Sequence, residues 1–170
     1  LLAHGTTTAC AFCSVHPESA EALFAGAQAR GMAMVAGKVM MDRNAPDGLL
    51  DTPQRGYDET TALIARWHGR DRLRYAISPR FAITSTPEQL RAAGTLAAEH
   101  PGLHVQTHLS ENRAEIDFTL SLYPQARDYL DIYDRAGLLG PRTLMGHAIH
   151  LSARELARMA DTGTRAIHCP

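Results

Sequence analysis

The chain has 170 residues, enough for one domain of ordinary size or for part of a larger one. Its 17 Lys and Arg balance 18 Asp and Glu, so no basic excess indicates a nucleic-acid or membrane-surface partner. Apolar residues make up 45% of the chain, which excludes a disordered chain, and the longest stretch without Asp, Glu, Lys or Arg, residues 1–17, is too polar to span a membrane.

The chain has three cysteines, and two of them, Cys10 and Cys13, lie in a Thr-rich strand-like run, while the third is Cys169. An odd number of cysteines does not indicate a disulfide framework, and residues 1–17 lack the basic start of a secretory signal, so we expect a reducing, cytoplasmic setting. The C-x-x-C spacing lies in the strand-like run rather than at a helix start, which favours structural burial over redox chemistry. The chain begins without Met and ends just after a strand-like run, so we expect a fragment of a longer protein.

Short apolar runs alternate with helical periods along the rest of the chain. The runs, typical of parallel strands buried on both faces, cover residues 31–41, 73–77, 103–107, 143–145 and 165–167. Helices are predicted over residues 18–30, 57–67, 112–122 and 127–136, and from the capping-box patterns at 86–89 and 152–155. Residues 44–56 form the longest irregular stretch, of a length that is often functional.

A strand followed by a helix, repeated about five times, predicts an α/β protein with a parallel sheet. The repeat spacing suits a (β/α)₈ barrel, which usually needs about 250 residues, and a doubly wound open sheet is the alternative. No linker separates two parts of the chain, so we expect no second domain within residues 1–170.

In such a barrel the active residues lie at the carboxyl ends of the strands. The side chains that follow the predicted strands there include Arg80, Phe81, His108, Glu111 and His147. His104 precedes His108 by four residues, which is about 13 Å along a strand at ~3.3 Å per residue. The two histidines therefore cannot share a metal, and we expect His104 to be structural.

The pair His108 and Glu111 gives the most specific chemical prediction, because an imidazole ligates zinc well and a nearby carboxylate can move protons for an activated water. The alternative is a loop histidine and a carboxylate that stabilises a helix start. Arg80 and Phe81 could together bind a planar ligand, with the guanidinium holding it and the phenyl ring stacking on it. The alternative is that Arg80 forms a salt bridge beside a helix and Phe81 packs in the core. We place His147 in the pocket and take His150, three residues later, as structural.

These residues also carry a resemblance to a known family. In order, the chain contains Gly5–Thr8, Gly37–Asp42, Pro79–Phe81, His104–Asn112, Met145–His147 and His168–Pro170, which resemble segments of the guanine deaminases of the zinc amidohydrolase superfamily. The resemblance covers essentially the whole chain. It implies a partial (β/α)₈ barrel, about strands 2 to 7, with residues 1–170 as the central part of the barrel domain. It also implies one zinc, a homodimer, and hydrolysis of guanine to xanthine and ammonia.

The resemblance also implies roles for the candidate residues. His108 matches the metal ligand, Glu111 the proton-shuttling carboxylate, and His147 the histidine that orients the attacking water. Arg80 matches the residue that hydrogen-bonds the purine, and Phe81 the residue that packs on its ring. The expected site is therefore Glu111 and His147 as catalytic residues, with Arg80, Phe81, His108 and Glu111 at the substrate.

The family pattern further requires a His-x-His pair on the first strand and an Asp on the eighth, neither of which this sequence contains. We therefore expect the 170-residue piece alone to bind zinc weakly and to be inactive, with activity belonging to the parent protein. Lys38, His16 and His168 match family positions without an assigned role. Two alternatives remain: a related amidohydrolase acting on another nucleobase, a nucleoside or a triazine, and a non-catalytic barrel scaffold.

Overall fold

The structure is a computed structural model that describes residues 1–169. Its strands are β1 Thr8–Phe12, β2 Ala33–Gly37, β3 Val39–Met40, β4 Leu73–Pro79, β5 His104–Leu109, β6 Thr143–His147 and β7 Arg165–Ile167. Its helices are α1 Pro17–Gln28, α2 Pro53–Trp67, α3 Pro87–Glu99, α4 Arg113–Leu122, α5 Tyr129–Arg135 and α6 Ala153–Thr162. Three one-turn 3-10 helices cover Leu2–His4, Asp47–Leu49 and Ala82–Thr84.

The strands form one parallel sheet in the order β1-β2-β4-β5-β6-β7, with the short β3 beside the end of β4. This order follows the chain without the reversal that defines a doubly wound sheet. The sheet is therefore a half-barrel, which confirms the predicted partial (β/α)₈ barrel and makes the open-sheet alternative wrong. The described residues contain no helix that is both long and apolar enough to cross a membrane.

The predicted strand over residues 31–41 is in fact two strands, because the chain is interrupted at Lys38. A side chain on Gly37 would lie only 1.8 Å from the carbonyl oxygen of Ala76, so the backbone here passes very close to β4. Lys38 donates its backbone N–H to the Tyr75 hydroxyl (3.1 Å) instead of to a strand. Its fully buried ammonium pairs with Asp51.

The predicted loop 44–56 is shorter than expected. Helix α2 begins at Pro53, four residues before the predicted start, because Thr52 caps it by accepting the N–H of Arg55 (3.1 Å). Pro53 has no backbone N–H, but at the first helical position this costs no hydrogen bond, because an N–H there would have no helical partner. The remaining segment contains the turn Asp47–Leu49.

The two predicted capping boxes have different outcomes. Ser152 and Glu155 form a complete box at the start of α6. Thr86 accepts the N–H of Gln89 (3.2 Å) at the start of α3, but its own N–H donates to Asp42 (2.8 Å) rather than to Gln89. The start of α3 is therefore tied to the segment that follows β3.

The core lies between the sheet and the helices. Phe24 of α1 stacks on Trp67 of α2 with ring centroids 5.6 Å apart, and both contact the buried face of the sheet. Tyr133 of α5 is completely buried, and its hydroxyl accepts the N–H of Ala82 (3.0 Å) and donates to the carbonyl of His108 (2.8 Å). The core thus extends to the residues at the carboxyl ends of β4 and β5.

Candidate active site

His108 lies near the carboxyl end of β5, with its ring fixed by the neighbouring strand. Its Nδ1 is 2.7 Å from the carbonyl oxygen of Arg80, so Nδ1 carries the proton and Nε2 keeps a free lone pair. Burial is the main influence on this ring and lowers the pKa of His108, which favours the neutral form. A neutral imidazole whose other nitrogen donates to a carbonyl is the usual state of a histidine metal ligand.

His147 and Glu111 lie beside this ring. The His147 ring stacks on that of His108 with centroids 5.6 Å apart, and its Nε2 is 3.7 Å from a carboxylate oxygen of Glu111. His147 ends β6 with a φ of 69°, in the left-handed region that residues other than glycine rarely adopt. Such conformations cluster at functional sites, where surrounding structure holds them. The structure thus brings two imidazoles and one carboxylate to the same end of the sheet.

Glu111 does not stabilise the start of a helix, which was the structural alternative for this residue. Helix α4 begins at Arg113, and Asn112 and Glu115 form its capping box. Glu115 accepts the backbone N–H of Glu111 (2.8 Å) and so takes the structural role. The Glu111 side chain is left 54% exposed and available to a ligand. The N-x-x-E pattern of residues 112–115 is a capping-box signal that the sequence analysis did not use.

Arg80 and Phe81 follow β4 at the same end of the sheet. The Arg80 guanidinium carbon is 5.2 Å from the centroid of the Phe81 ring, which is itself edge-on to His108 at 6.3 Å. Among residues 1–169, Arg80 forms no salt bridge, and Phe81 is only partly buried. The alternative of a helix-flanking salt bridge with a core phenylalanine is therefore wrong. An exposed cation and a half-buried ring next to His108 suit contact with a planar polar ligand.

Phe12 at the end of β1 is a site residue that the sequence analysis missed. Its ring stacks on His108 with centroids 4.5 Å apart and planes 26° apart, and it is 37% exposed. A cavity of about 240 Å³ opens beside it. Its walls are formed by Phe12, Cys13, Ser14, Val15, Val39, Met41, Leu49, Arg80 and His108. No local sequence pattern marks Phe12, because it meets His108 only through the pairing of the strands between them.

Cys13 lines this cavity but is poorly suited to act as a nucleophile. Burial raises the pKa of its thiol to about 11, and the protonated thiol is unreactive. All three cysteines, Cys10, Cys13 and Cys169, are free. Cys10 is exposed and Cys13 only partly buried, so the expected structural burial of this pair is wrong. Cys10 donates to the side-chain oxygen of Gln106 (3.1 Å).

Four further histidines and one lysine were also candidates. His104 is at the opposite end of β5 from His108, as predicted. His16 is the exposed N-cap of α1, and His150 lies in the segment after β6. His168 is exposed beyond β7. Lys38 is buried in its ion pair and does not line the cavity.

The donor set for a metal is incomplete in the part of the chain that the structure describes. No three His, Cys, Asp or Glu side chains there are grouped closely enough to hold an ion. The free Nε2 of His108 can serve as one metal ligand. His147 and Glu111 lie where they would flank an ion, and the three side chains do not form a complete ligand set.

Comparisons with known proteins agree with this geometry. The model of the amidohydrolase family matches residues 1–170. The guanine deaminase of Escherichia coli is 50% identical over the whole chain, which spans 39% of that protein. The guanine deaminase of Dictyostelium discoideum is 37% identical, and the chain spans 38% of it. The chain thus spans about two fifths of the length of these relatives.

Solved structures give the same result. The crystal structure of guanine deaminase from Bradyrhizobium japonicum superimposes with a TM-score of 0.97 at 44% identity, covering 99% of this chain and 36% of that one. Guanine deaminase from C. acetobutylicum, solved with guanine bound in its active site, gives 0.95 at 33% identity, covering 99% and 41%. An atrazine chlorohydrolase from Arthrobacter aurescens, solved with zinc, gives 0.86 at 20% identity and covers 97% and 39%, a likeness of fold alone.

Proposed function

Because the chain belongs to the amidohydrolase family, we propose that it is the central part of a guanine deaminase, the zinc-dependent enzyme that hydrolyses guanine to xanthine and ammonia. The observation that carries the proposal is the grouping of His108, His147 and Glu111 beside Arg80 and Phe81 at one end of the sheet. The sequence identity to guanine deaminases supports the choice of substrate.

His108 is the proposed zinc ligand of this chain, since its Nε2 is free while its Nδ1 is held by the Arg80 carbonyl. Catalytic zinc sites use three or more protein ligands, so further ligands must come from other parts of the full-length protein. When bound, zinc would lower the pKa of a water molecule, so that it loses a proton and becomes a nucleophile at neutral pH.

Glu111 is the proposed proton carrier. Its exposed carboxylate takes a proton from the attacking water and delivers it to the purine ring nitrogen. It then carries the proton of the new C2 hydroxyl to the amino group, so that the C2–N bond breaks, ammonia leaves and the C2 carbonyl of xanthine forms. His147, whose Nε2 is 3.7 Å from that carboxylate, orients the same water and stabilises the oxygen that attacks C2.

Arg80 and Phe81 are the proposed contacts to the base. The guanidinium donates hydrogen bonds to the polar edge of guanine, and the phenyl ring packs on its face. Because the Arg80 carbonyl also holds His108, base binding and the metal ligand are linked through one residue.

The proposal has consequences for the isolated chain. Residues 1–170 form one continuous part of the barrel domain, and with one ligand of their own they bind zinc weakly and do not catalyse the reaction. A homodimeric enzyme in the cytoplasm, without nucleic-acid or membrane partners, completes the proposal and rests on the family resemblance.

The test is a substrate panel on the purified full-length protein. We expect one zinc per subunit by metal analysis, release of xanthine and ammonia from guanine, and a kcat/KM for guanine at least about 100-fold above those for adenosine, cytosine and a chlorotriazine. Preferred turnover of another panel member would instead assign a related amidohydrolase. A folded protein without stoichiometric zinc or turnover would be a scaffold. Size-exclusion chromatography tests the dimer.

A further inference from the structure

The segment Asp42–Asn44, just after β3, has no part in the site described above, yet it contacts the residues that follow Phe81. We infer that Arg43 is a positioning residue, which holds the segment Arg80–Phe81 in the geometry that binds the base. The inference rests on the proposed function, because it concerns binding of the same planar substrate.

The turn after Phe81 cannot hold itself in place. Phe81 is extended, with a φ of −172°, and the chain then forms the single 3-10 turn Ala82–Thr84 before α3. Within this turn the carbonyls of Phe81 and Ala82 accept one N–H each, over 3.2 and 3.3 Å. The carbonyls of Ile83 and Thr84 need partners from elsewhere, because buried backbone groups are costly to leave unpaired.

The Arg43 side chain donates two hydrogen bonds to this turn from one planar group, one of them to the carbonyl of Ile83, which has no partner within the turn. Its Nη2 donates to the carbonyl of Ala82 (2.9 Å) and its Nε donates to the carbonyl of Ile83 (3.2 Å). Two hydrogen bonds from one planar guanidinium fix both the position and the orientation of the turn. The flexible ammonium of a lysine at this position would not do so.

The neighbours of Arg43 complete the contact. The side-chain amide of Asn44 donates to the carbonyl of Ile83 (2.8 Å), and the backbone N–H of Asp42 donates to the carbonyl of Thr84 (2.9 Å). Each carbonyl of the turn therefore accepts a bond from the segment Asp42–Asn44. This segment also anchors the next helix, since Asp42 accepts the N–H of Thr86 (2.8 Å).

The surroundings of Arg43 indicate a geometric role rather than an ionic one. Its guanidinium carbon lies 4.8 Å from the centroid of the Tyr123 ring, and no salt bridge to it occurs within residues 1–169. Arg43 does not line the cavity beside His108. It can therefore affect a bound base only through the turn and the adjoining Phe81 and Arg80.

The test uses the full-length protein and the variant Arg43→Met, with Arg66→Met as the matched control. Arg66 also places its guanidinium over an aromatic ring, that of Trp67 at 5.5 Å, and it pairs with Glu21 rather than with the turn. We expect Arg43→Met to raise the KM for guanine by about 10-fold or more with kcat changed less than about 3-fold, since a misplaced contact weakens binding first. The control keeps the wild-type KM.

A double-mutant cycle shows whether Arg43 acts through Phe81. If it does, Arg43→Met costs much less in kcat/KM in a Phe81→Leu background than in the wild type, because the two residues act through the same contact. Should Arg43→Met fold poorly, Asn44→Gly serves instead: it removes the amide donor to Ile83, and glycine accepts the φ of 51° at this position. A smaller rise in KM is expected from it.

The outcomes separate the two proposals. Additive penalties, or a lower melting temperature with an unchanged KM, would overturn the positioning role while leaving guanine deamination intact. A wild-type protein that does not turn over guanine would overturn both. A rise in KM that disappears in the Phe81→Leu background supports the inference.

Discussion

The two ends of β5 each carry a histidine, and the comparison between them explains which one is available for chemistry. Burial lowers the pKa of both His104 and His108, so the direction of the shift does not distinguish them. Positive charges lower both pKa values further, those of Arg142 and Arg165 at His104 and those of His147 and Arg80 at His108. The contacts of its ring are what distinguish His108. His108 has a carbonyl on Nδ1 and a stacked imidazole, that of His147, at its side.

The amino end of the sheet contains polar groups that satisfy one another or the backbone. There the ring of His68 accepts the N–H of Tyr75 (3.2 Å), and the hydroxyl of Tyr57 donates to Glu99 (2.6 Å). At the carboxyl end, Glu111 and the Nε2 of His108 are left for a ligand. The difference matches the general division in barrels between a stabilising face and a reactive one.

The largest expected effect is that of Glu111→Gln in the full-length protein. Gln keeps the size of the side chain but cannot carry the proton, so we expect kcat for guanine to fall by about 10²–10⁴-fold. The melting temperature should change little, because the side chain is more than half exposed. Steady-state kinetics and thermal unfolding measure the two quantities.

Glu99→Gln is the matched control at the amino end, where Glu99 accepts a hydrogen bond from Tyr57. It should leave kcat unchanged. Equal losses from the two substitutions would mean that the two ends of the sheet do not differ in function.

The next largest effect separates the two histidines of β5. We expect His108→Asn to lower zinc affinity by more than about 100-fold, beyond what is typical for a residue that merely supports a ligand. We expect His104→Asn to leave zinc affinity unchanged. Metal content after dialysis against a chelator series measures both. Retention of zinc by His108→Asn would remove His108 from the proposed ligands.

Much of this arrangement could be predicted from the sequence, because local patterns determine it. Apolar runs gave five strands, and the rule that barrel residues act at the carboxyl ends of strands selected Arg80, Phe81, His108 and His147. The interruption at Lys38 could not be predicted, because it depends on the approach of Gly37 to the carbonyl of Ala76 on another strand.

The stacking of Phe12 on His108 was out of reach for the same reason. The two residues are far apart in sequence and meet only when β1, β2, β4 and β5 pair in their observed order. The contact between Arg43 and the turn after Phe81 likewise depends on the position of β3 beside β4. Long-range register decides such contacts, and a local pattern does not contain it.

A smaller effect is expected from Gly146→Ala, which tests how closely the His108 ring must be held. Gly146 is paired with His108 in the sheet, and a side chain there would lie 3.3 Å from the Cδ2 of that ring. The ring must move by a few tenths of an ångström, and we expect kcat/KM to fall by roughly 3- to 10-fold. The control is Gly140→Ala before β6, where an added side chain meets nothing within 4 Å. Equal kinetics for both variants would show that His108 tolerates movement.

The smallest expected effect is a pH dependence of stability from the amino end. Burial is the main cause that lowers the pKa of His68, and the positive charge of Arg74 lowers it further. The unfolded chain therefore binds the proton more tightly than the folded one. The contribution of the neutral ring is therefore present above the unfolded pKa of about 6.5 and is lost as the pH falls from there through the folded pKa. Protonation also turns the His68 Nδ1 into a donor, which breaks its bond to the Tyr75 N–H. Urea midpoints at pH 7.5 and 5.5, measured in a chelator so that no metal contributes, should differ less in His68→Gln than in the wild type. An undiminished difference in the variant would show that His68 does not contribute to the pH sensitivity.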